Sequence, residues 1–431
     1  MLPDRRLFLR RSLAAGAVLA APAVLRSSSK RTCRTALIGS GWWGMNIARM
    51  ALASGRCDLV ALCDVDGSIL EAAVEDINTL SGRKPHSYRD FRELLLREKP
   101  QIVIVATPDH WHALITIAAL QSGAHVYVEK PVGHTIKEGR AMVRAARETG
   151  RKVQVGTHRR GSPHNISAME FLRKGGAGDI GMVRAFVHSS GGHGRITPDT
   201  PPPDNLDWDM WCGPAPLRPY NRRIHPRGFR SFLDYANGRL GDWGIHWMDH
   251  ILWWSEEKYP RRIYSSGGRF ILEDNTDAPD TQIVTFTFES FTAVWEHRTY
   301  AGNASEKHRI GCYFYGTEGI LHIGWHDGWT FYDRESGEPL HHEEPKLHEP
   351  DAQNIPELWA DFLDAIESNR RPTCDIEIGH LSTNMSLLGM LSHKIGRSIE
   401  WDGEAERVVN DDEANALLRR NYRPPWIYPG S

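Results

Sequence analysis

The sequence predicts an α/β amino-terminal domain with a doubly wound parallel sheet, followed by an α+β domain with a large, mostly antiparallel, open-faced sheet. Two observations carry this prediction. Up to about residue 155, short apolar β-branched runs alternate with helical stretches, which is the pattern of a parallel sheet with right-handed crossovers. Beyond residue 261, apolar residues recur at every second position, which is typical of antiparallel strands with one buried face.

Length and composition fit two or three domains, and we expect no nucleic-acid partner and no metal site. The chain has 431 residues, with 52 basic against 54 acidic side chains. Its 15 tryptophans and 21 histidines suit a carbohydrate site, because aromatic rings stack on sugar faces, although most of them are expected to fill the core. The six cysteines contain no Cys-x-x-Cys pair, which argues against redox and metal-finger motifs and leaves disulfides open.

The first 30 residues predict a twin-arginine export signal and linker. Arg5 and Arg6 precede an uncharged stretch at residues 13–25, and residues 21–23 (Ala-Pro-Ala) offer small side chains to a signal peptidase. The stretch is too short to span a bilayer, and no later segment predicts a transmembrane helix. We therefore expect a periplasmic or extracellular protein, and the alternative is a frayed basic terminus.

A glycine-rich turn marks a Rossmann domain, which we place at residues 31–155. Residues 35–38 predict a short strand, the GSGWWG sequence at 39–44 fits G-x-G-x-x-G, and a helical run begins at Met45. Glycines permit a tight turn and a close approach of backbone to pyrophosphate, which a helix N-terminus binds. The residues expected at the cofactor phosphates are Gly39, Gly41, Trp43, Gly44 and Met45.

Asp64 predicts NAD rather than NADP as the cofactor. It follows the second predicted strand, at residues 59–63, in the place where an acid bonds the adenosine ribose. Its carboxylate would repel a 2′-phosphate, and residues 65–67 contain no Arg or Lys to receive one. Asp66 is a rival for the ribose role, and a turn aspartate without a ligand is the alternative for Asp64.

The remaining signals of the first domain alternate in the same way. Helices are predicted at residues 69–80, 91–97, 113–122 and 136–149, and strands at 101–105, 126–128 and 153–155. In an open α/β sheet, ligands bind outside the carboxyl ends of the strands. Thr107 and Pro108 follow one of these strands and Glu129 and Lys130 follow another, so we expect all four at the site.

A second motif lies downstream, where Asp242 and His246 are four residues apart. In an α-helix this spacing puts both on one face, and a carboxylate beside an imidazole orients it and raises its basicity. Together with the glycine turn and the Glu-Lys-Pro sequence at 129–131, the motif resembles the Gfo/Idh/MocA oxidoreductases. The loop at 201–214 and the tail resemble a secreted, twin-arginine-exported subgroup of that family.

The resemblance implies most of the expected site. It implies that Lys130, His246 and Asp242 act on the substrate carbinol, and that the Lys130–Pro131 peptide bond is cis. The residues expected at the nicotinamide end of the cofactor are Thr107, Pro108, His112, Glu129 and Lys130. The resemblance also implies a homo-oligomer, formed through the free face of the second sheet.

The second domain is placed at residues 156–401, with a carboxyl-terminal tail at 402–431 that packs on the body. Strands are predicted at 282–288, 292–298, 312–315 and 320–323, and helices at 357–368 and 381–394. The candidates for substrate contact are Trp111, His158, Arg159 and Trp208. Structural roles stay open for them, as a solvated basic turn for His158 and Arg159 and as a loop-anchoring core ring for Trp208.

The expected function is NAD-dependent transfer of hydride between a sugar or polyol carbinol and a tightly bound nicotinamide cofactor. An exported enzyme meets no pool of NAD with which to exchange, so its cofactor must be reset within each cycle. The alternative is a glycosidase that oxidises its substrate transiently, eliminates the glycosidic substituent, adds water and reduces the product. A non-catalytic sugar-binding protein is the third hypothesis.

Overall fold

A computed structural model describes residues 32–302, 305–348 and 353–430. The predicted export signal, residues 1–30, lies outside the described residues. Among the helices within these ranges, none is both long and apolar enough to cross a membrane.

The first sheet has six parallel strands in the order β3-β2-β1-β4-β5-β6, which confirms the predicted doubly wound fold. Its strands are β1 (Cys33–Ile38), β2 (Cys57–Cys63), β3 (His86–Tyr88), β4 (Ile102–Val105), β5 (His125–Val128) and β6 (Val153–Val155). β4 is wholly buried, as are the last four residues of β1 and the last three of β5, because helices cover both faces of the sheet. The sequence does not predict β3, a short edge strand of polar, largely exposed residues.

The helices packed on this sheet are α1 (Trp42–Ala53), α2 (Gly67–Ser81), α3 (Phe91–Glu98), α4 (Asp109–Gln121) and α5 (Ile136–Thr149). α4 begins at Asp109, four residues before the start predicted from the sequence, with Pro108 as its N-cap. A carboxylate in the first turn and a proline at the entrance both favour a helix start at this point. α5 begins with a capping box formed by Thr135 and Glu138.

The second sheet has ten strands in the order β14-β13-β12-β11-β7-β10-β9-β8-β15-β16. They are β7 (Ile180–His188), β8 (Arg262–Gly268), β9 (Thr281–Thr287), β10 (Thr292–Arg298), β11 (Ile310–Gly316), β12 (Ile320–Gly324), β13 (Trp329–Tyr332), β14 (Pro339–Glu343), β15 (Ile399–Asp402) and β16 (Arg407–Val408). β7 and β10 pair in parallel, and the other pairings are antiparallel, as predicted for most of this sheet. The sequence does not predict β7, because its residues do not alternate between apolar and polar.

The described helices cover one face of the second sheet, and the other face is partly exposed. The helices of this part of the chain are α6 (Pro163–Arg173), α7 (Trp208–Cys212), α8 (Ile245–Ser255), α9 (Ile355–Glu367), α10 (Ile376–Ile395) and α11 (Asp412–Ala416). Val284, Phe286 and Trp295 are buried in one core with residues of α8 and α10. Ile283 and Tyr264, on the opposite face, are about half exposed. The period of two in the sequence therefore reports one covered and one open face.

Between β7 and α8 the chain crosses back to the first domain, and we call residues 197–235 the crossing segment. It has an aromatic core of its own, in which Trp208 stacks on Trp211 with ring centroids 4.6 Å apart. At the start of α2, the Gly67 amide donates to the Asn205 carbonyl at 2.9 Å. The segment is thus hydrogen-bonded to the edge of the first sheet where β2 ends.

The carboxyl-terminal tail crosses the N-terminus of α5 and converges on one buried carboxylate, that of Glu138. The backbone amides of His134 and Thr135 donate to this carboxylate at 2.7 and 3.0 Å. From the tail, Arg420 Nε donates at 3.2 Å and the Tyr422 hydroxyl at 2.7 Å. A single side chain therefore caps the helix and holds the tail.

We expect Glu138→Ala to lower the free energy of unfolding by about 3–5 kcal/mol, because it leaves the partly buried Arg420 guanidinium without its carboxylate partner. The measurement is urea unfolding followed by circular dichroism. The matched control is Glu93→Ala, which removes an exposed i, i+4 pair with Arg97 and should cost at most about 0.5 kcal/mol. Equal losses in the two variants would show that Glu138 is not a fastening point.

Candidate active site

A cavity of about 580 Å³ opens along the carboxyl ends of the first sheet. Its volume lies in the range usual for ligand sites. One end is lined by the glycine turn after β1 and by Asp64, and the other by Lys130, Asp242 and His246. The cavity thus joins the two motifs that the sequence singles out.

The glycine turn leaves room for a ligand beside backbone N–H groups. Gly39 has a φ of +93°, and a Cβ there would lie 2.6 Å from the carbonyl carbon of Ala106. Gly41 is the N-cap of α1 without a side-chain cap, and a Cβ on it would meet nothing within 4 Å. Because no side chain caps the first N–H groups of α1, the turn fits the pyrophosphate of a dinucleotide.

The other fingerprint residues divide into lining and packing roles. Trp43 lines the cavity, as Gly39 and Gly41 do. Gly44 and Met45 were expected at the phosphates, but they are buried and do not line the cavity. A Cβ on Gly44 would lie 2.0 Å from the Gly39 carbonyl oxygen, so this glycine allows the helix to approach the strand closely.

The Asp64 carboxylate lines the cavity, whereas the Asp66 carboxylate is hydrogen-bonded to other parts of the protein. The Asp64 carboxylate accepts bonds from the Ser40 amide at 2.8 Å and the Asp66 amide at 3.0 Å, and it lines the cavity. Burial raises its pKa above the usual value, and these backbone bonds oppose the rise. Asp66 caps α2 through the Ser68 amide at 3.0 Å and contacts His225 Nε2 at 2.8 Å.

At the opposite end, Lys130 forms an ion pair with Asp242. Lys130 Nζ donates to Asp242 Oδ1 at 3.0 Å and to the Asp242 carbonyl at 2.9 Å, and Arg230 Nε reaches the same Oδ1 at 3.1 Å. Burial opposes ionisation of this carboxyl, but Lys130, Arg230 and Arg239 outweigh it and hold the pKa of Asp242 below its usual range. The Lys130–Pro131 peptide bond is cis, which confirms that expectation.

Within the described residues, no hydrogen bond joins Asp242 to His246, contrary to the expectation that the carboxylate orients the imidazole. Asp242 lies in a π-helical turn, Leu240–Gly244, that precedes α8. A separation of four residues implies a shared face only in an α-helix, and a π turn changes which residues share a face. The Asp242 carboxylate contacts Lys130 instead.

His246 is buried at the cavity wall and stays neutral. Its ring centroid lies 5.2 Å from that of His158 and 4.9 Å from that of Trp325. Burial, reinforced by the charge of Lys130, lowers the pKa of His246 well below its usual value. Its Nδ1 has no hydrogen-bond partner among the described residues. A neutral imidazole of this kind can accept a proton from a substrate hydroxyl.

Glu129 is packed between the Lys130 backbone and Gly156 at the cavity wall. Its Oε2 accepts a bond from the Lys130 amide at 3.2 Å, and a Cβ on Gly156 would lie 2.4 Å from Oε1. Burial raises the pKa of Glu129 and the charge of Lys130 opposes the rise. Glu129, Thr107 and Pro108 all line the cavity, at the ends of the strands expected from the sequence.

His112 and Trp111 lie in the first turn of α4 and make structural contacts. His112 Nδ1 lies 2.7 Å from the Pro131 carbonyl and Nε2 lies 2.8 Å from the Thr107 carbonyl, and the neutral ring donates to one of these two carbonyls. Burial lowers its pKa to about 4. Trp111 donates from Nε1 to the Trp211 carbonyl at 3.0 Å. His112 and Trp111 also line the cavity.

The three other candidates for substrate contact separate by position. His158 lines the cavity, and neither ring nitrogen has a partner among the described residues. Arg159 is buried behind Trp325, with its guanidinium carbon 3.7 Å from the ring centroid. Trp208 does not line the cavity: it donates to the Arg218 carbonyl at 2.7 Å and belongs to the core of the crossing segment.

Several lining residues escape the sequence analysis, namely Asp109, Arg230, Trp243, Trp325 and Gln353. Trp243 lies inside the Asp242 motif and could have been named from it. Asp109 follows the Thr-Pro turn, where a helix cap is the ordinary interpretation, but burial raises its pKa to about 7. No local pattern marks Trp325 or Gln353, which come to the cavity from loops distant in sequence.

Comparison with protein families matches most of the chain. Residues 33–157 match the oxidoreductase family with an NAD-binding Rossmann fold, and residues 185–266 and 326–428 match the C-terminal alpha/beta domain of the oxidoreductase family.

Curated relatives match over part of their length. A glycosyl hydrolase family 109 protein of Shewanella sp. (strain MR-4) is 29% identical over 160 residues, which are 36% of this chain and 35% of the relative. An alpha-N-acetylgalactosaminidase of Shewanella oneidensis is 28% identical over the same shares. The alignment thus spans about a third of the length of these relatives.

Solved structures with the same fold cover most of the chain. The WlbA dehydrogenase of Bordetella pertussis, in complex with NADH and UDP-GlcNAcA, has a TM-score of 0.64 at 19% identity, covering 86% of this chain and 99% of that one. The aldose-aldose oxidoreductase of Caulobacter crescentus, complexed with glycerol, has a TM-score of 0.64 at 20% identity, covering 86% and 100%. GenD2 from gentamicin A biosynthesis, in complex with NAD, has a TM-score of 0.65 at 22% identity, covering 88% and 98%.

We expect Asp64→Ala to weaken NAD binding roughly tenfold and to relax discrimination against NADP, because the variant loses an acceptor for the ribose hydroxyls and a charge that repels a 2′-phosphate. The measurement is titration of both dinucleotides into protein freed of cofactor. Asp58→Ala is the control, since Asp58 lies on β2, the strand that Asp64 follows, and pairs with Arg83 away from the cavity. Unchanged preference for NAD would make Asp64 a turn residue.

Proposed function

The chain belongs to the Gfo/Idh/MocA oxidoreductase family and carries an NAD-binding domain, and from this premise we propose that it transfers hydride between NAD and a carbinol of a sugar or polyol. The observation that carries the proposal is the pairing of Lys130 with Asp242 beside a neutral His246, at one end of a cavity whose other end fits a dinucleotide. When bound, NAD would accept the hydride that leaves the carbinol carbon.

Lys130 is placed to hold the carbinol oxygen. An ammonium group has three N–H donors. Two of them are directed at Asp242, to its carboxylate and to its carbonyl, which leaves one for a substrate oxygen. Asp242 stays ionised because its pKa lies below the usual range, so it fixes the lysine without competing for the proton. Lys130 then stabilises the negative charge that develops on oxygen as hydride leaves.

His246 is the residue that removes the hydroxyl proton. It is neutral, lines the same end of the cavity as Lys130, and has unsatisfied hydrogen-bonding capacity. Removal of the proton while hydride leaves avoids a protonated carbonyl, and general base catalysis of this kind contributes about 10²–10⁴-fold. In the reverse direction the same imidazolium returns the proton.

We further propose that the cofactor stays bound through the cycle, as an exported enzyme would require. Contacts of the crossing segment support this proposal. His225 contacts Asp66, close to Asp64, the residue expected to bond the ribose. The Arg227 guanidinium lies over the Trp42 ring at 4.9 Å, next to the glycine turn. A dinucleotide seated in the cavity would lie under this segment. Mass and absorbance analysis of the purified protein for bound NAD tests the proposal.

The open face of the second sheet supports a homo-oligomer. Ile283 and Tyr264 expose about half of their surface on a face that no described helix covers. Burial of such a face against a second copy is the usual way to remove apolar side chains from water. Light scattering on the purified protein measures the oligomeric state directly.

A second candidate is a glycosidase that uses NAD transiently. The curated relatives named as family 109 glycosyl hydrolases favour it, and so does Asp109. Elimination and hydration need a group that gives and takes a proton near neutral pH, and burial brings the pKa of this lining carboxyl to about 7. Release of a free reducing sugar without net formation of NADH would distinguish the glycosidase from sugar–sugar hydride transfer.

We expect Lys130→Met and His246→Ala each to slow reduction of bound NAD by sugar by roughly 10²–10⁴-fold, because each removes a group that acts on the carbinol oxygen. Bound NAD should survive both changes, since neither residue meets the pyrophosphate. The measurement is single-turnover absorbance at the NADH band. His86→Ala, an exposed histidine paired with Glu98, is the control and should react at the wild-type rate.

A wild-type rate in His246→Ala would make this histidine structural and the mechanism wrong. Absence of NAD reduction by any sugar in a screen of the wild-type protein, with the cofactor bound, would instead favour the non-catalytic sugar-binding hypothesis.

The pH dependence of the single-turnover rate should reflect the lowered pKa of His246. The base form of His246 is the active one for oxidation, and its pKa lies well below the ordinary value of about 6.5. We therefore expect the single-turnover rate to hold as pH falls through 6.5 and to be lost only well below it. Any inflection near pH 7 should vanish in Asp109→Asn. A limb at about 6.5 that survives in Asp109→Asn would contradict this assignment.

A further inference from the structure

Arg159 is a buried cation whose guanidinium lies over the Trp325 ring but has no carboxylate or hydrogen-bond partner among the described residues. The residue is 3% exposed, and its Nε and both terminal nitrogens make no hydrogen bond within the described residues. Its neighbour Arg160 is different, because Asp249 accepts from its Nε at 2.8 Å. Two successive arginines thus leave the same 3₁₀ turn, His158–Gly161, and one of them is neutralised.

An unpaired guanidinium inside a protein is costly. The free-energy cost of burying a charge is offset only when an opposite charge and hydrogen bonds replace the lost water. Burial lowers the pKa of Arg159 to about 9, which still leaves the group charged at neutral pH. A feature this unfavourable is expected at places where a ligand completes the site.

Arg159 lies behind Trp325, at the wall of the substrate end of the cavity. The guanidinium contacts Trp325, which lines the cavity, and the Trp325 ring lies 4.9 Å from the His246 ring and 6.0 Å from the His158 ring. Other polar atoms without a described partner surround this end, namely both ring nitrogens of His158, Nδ1 of His246 and Oε1 of Gln353. Hydrogen-bonding capacity and positive charge therefore accumulate here together.

The carboxylates of this neighbourhood are already used. Asp249 receives Arg160 Nε at 2.8 Å and the Ser382 hydroxyl at 2.7 Å. Asp242 receives Lys130 and Arg230. The counter-charge of Arg159 must therefore come from a group outside these pairs.

We propose that the substrate brings this charge, as a carboxylate bound at the Trp325 end of the cavity with Arg159 as its counter-ion. The inference rests on the proposed function and narrows its substrate class to uronic acids and their glycosides. A guanidinium fork pairs with a carboxylate through two parallel bonds. Among the described residues at this end, Arg159 is the cation without a carboxylate partner, and its one charge matches a monoanion such as a carboxylate. The ring of Trp325 must turn aside for the pairing, because it covers the guanidinium nitrogens.

The test is calorimetric titration of the NAD-loaded protein with D-glucuronate and D-galacturonate, against D-glucose and D-galactose. We expect at least one uronate to bind about 10–100-fold more tightly than its neutral sugar, the usual gain for hydrogen bonds to a charged group. Arg159→Met, which keeps length and removes charge, should abolish the difference, and Arg159→Lys should retain part of it. Arg173→Met is the control, since Arg173 pairs with Glu256 at the surface.

Equal binding of uronates and neutral sugars by the wild-type protein would overturn the proposal without recourse to any variant. An unchanged uronate preference in Arg159→Met would overturn it too. Inorganic phosphate or chloride that binds through Arg159 while uronates show no preference would indicate a site for an adventitious ion only, and would equally refute it.

Reduction of the bound NAD separates this inference from the proposed function. Uronates that bind through Arg159 while no sugar reduces the cofactor would leave the carboxylate site standing and refute the dehydrogenase. Neutral sugars that reduce the cofactor while uronates neither bind better nor react faster would leave the dehydrogenase standing and refute the carboxylate site.

Discussion

The ion pair between Lys130 and Asp242 is the constraint on which the site depends. Lys130 follows strand β5 of the first domain, and Asp242 lies in the π turn at the start of α8 in the second. Both side chains are less than one-fifth exposed, and a lone charge at such a depth would be strongly unfavourable. Packing of the two domains and formation of the catalytic pair are therefore one event, which also places His246 on the wall of the same cavity.

Features with a local cause could be predicted from the sequence, and those set by distant packing could not. The buried strands β1, β4 and β5 follow from β-branched runs, and the glycine turn follows from the steric needs of Gly39. β7 lies in the middle of the second sheet without an alternating pattern, and Trp325 reaches the cavity only because β12 places its loop there. The lack of a partner for Arg159 is a property of its surroundings and leaves no trace in the sequence around it.

The relation between Asp242 and His246 shows how a correct motif can carry a wrong geometry. Four residues of separation imply a shared face only if the backbone is α-helical. Here the first residue belongs to a π turn, and two cations, Lys130 and Arg230, compete for its carboxylate. The electrostatic gain from two partners exceeds that from a neutral imidazole, so the carboxylate turns to the cations. The imidazole is left neutral, which is the form that accepts a proton, but without the orientation that a carboxylate partner would give it.

The crossing segment couples the two ends of the cavity. It supplies Arg230 to Asp242 at the catalytic end, and His225 and Arg227 at the end that fits the dinucleotide. A movement that opened the cofactor end would also disturb Arg230, since five residues separate it from His225, and would remove one of the charges that hold Asp242 ionised. Release of cofactor and loss of catalytic geometry are thus linked through one stretch of chain. An enzyme that resets its cofactor in place avoids that movement, whereas one that exchanges it would have to rebuild the site on every turnover.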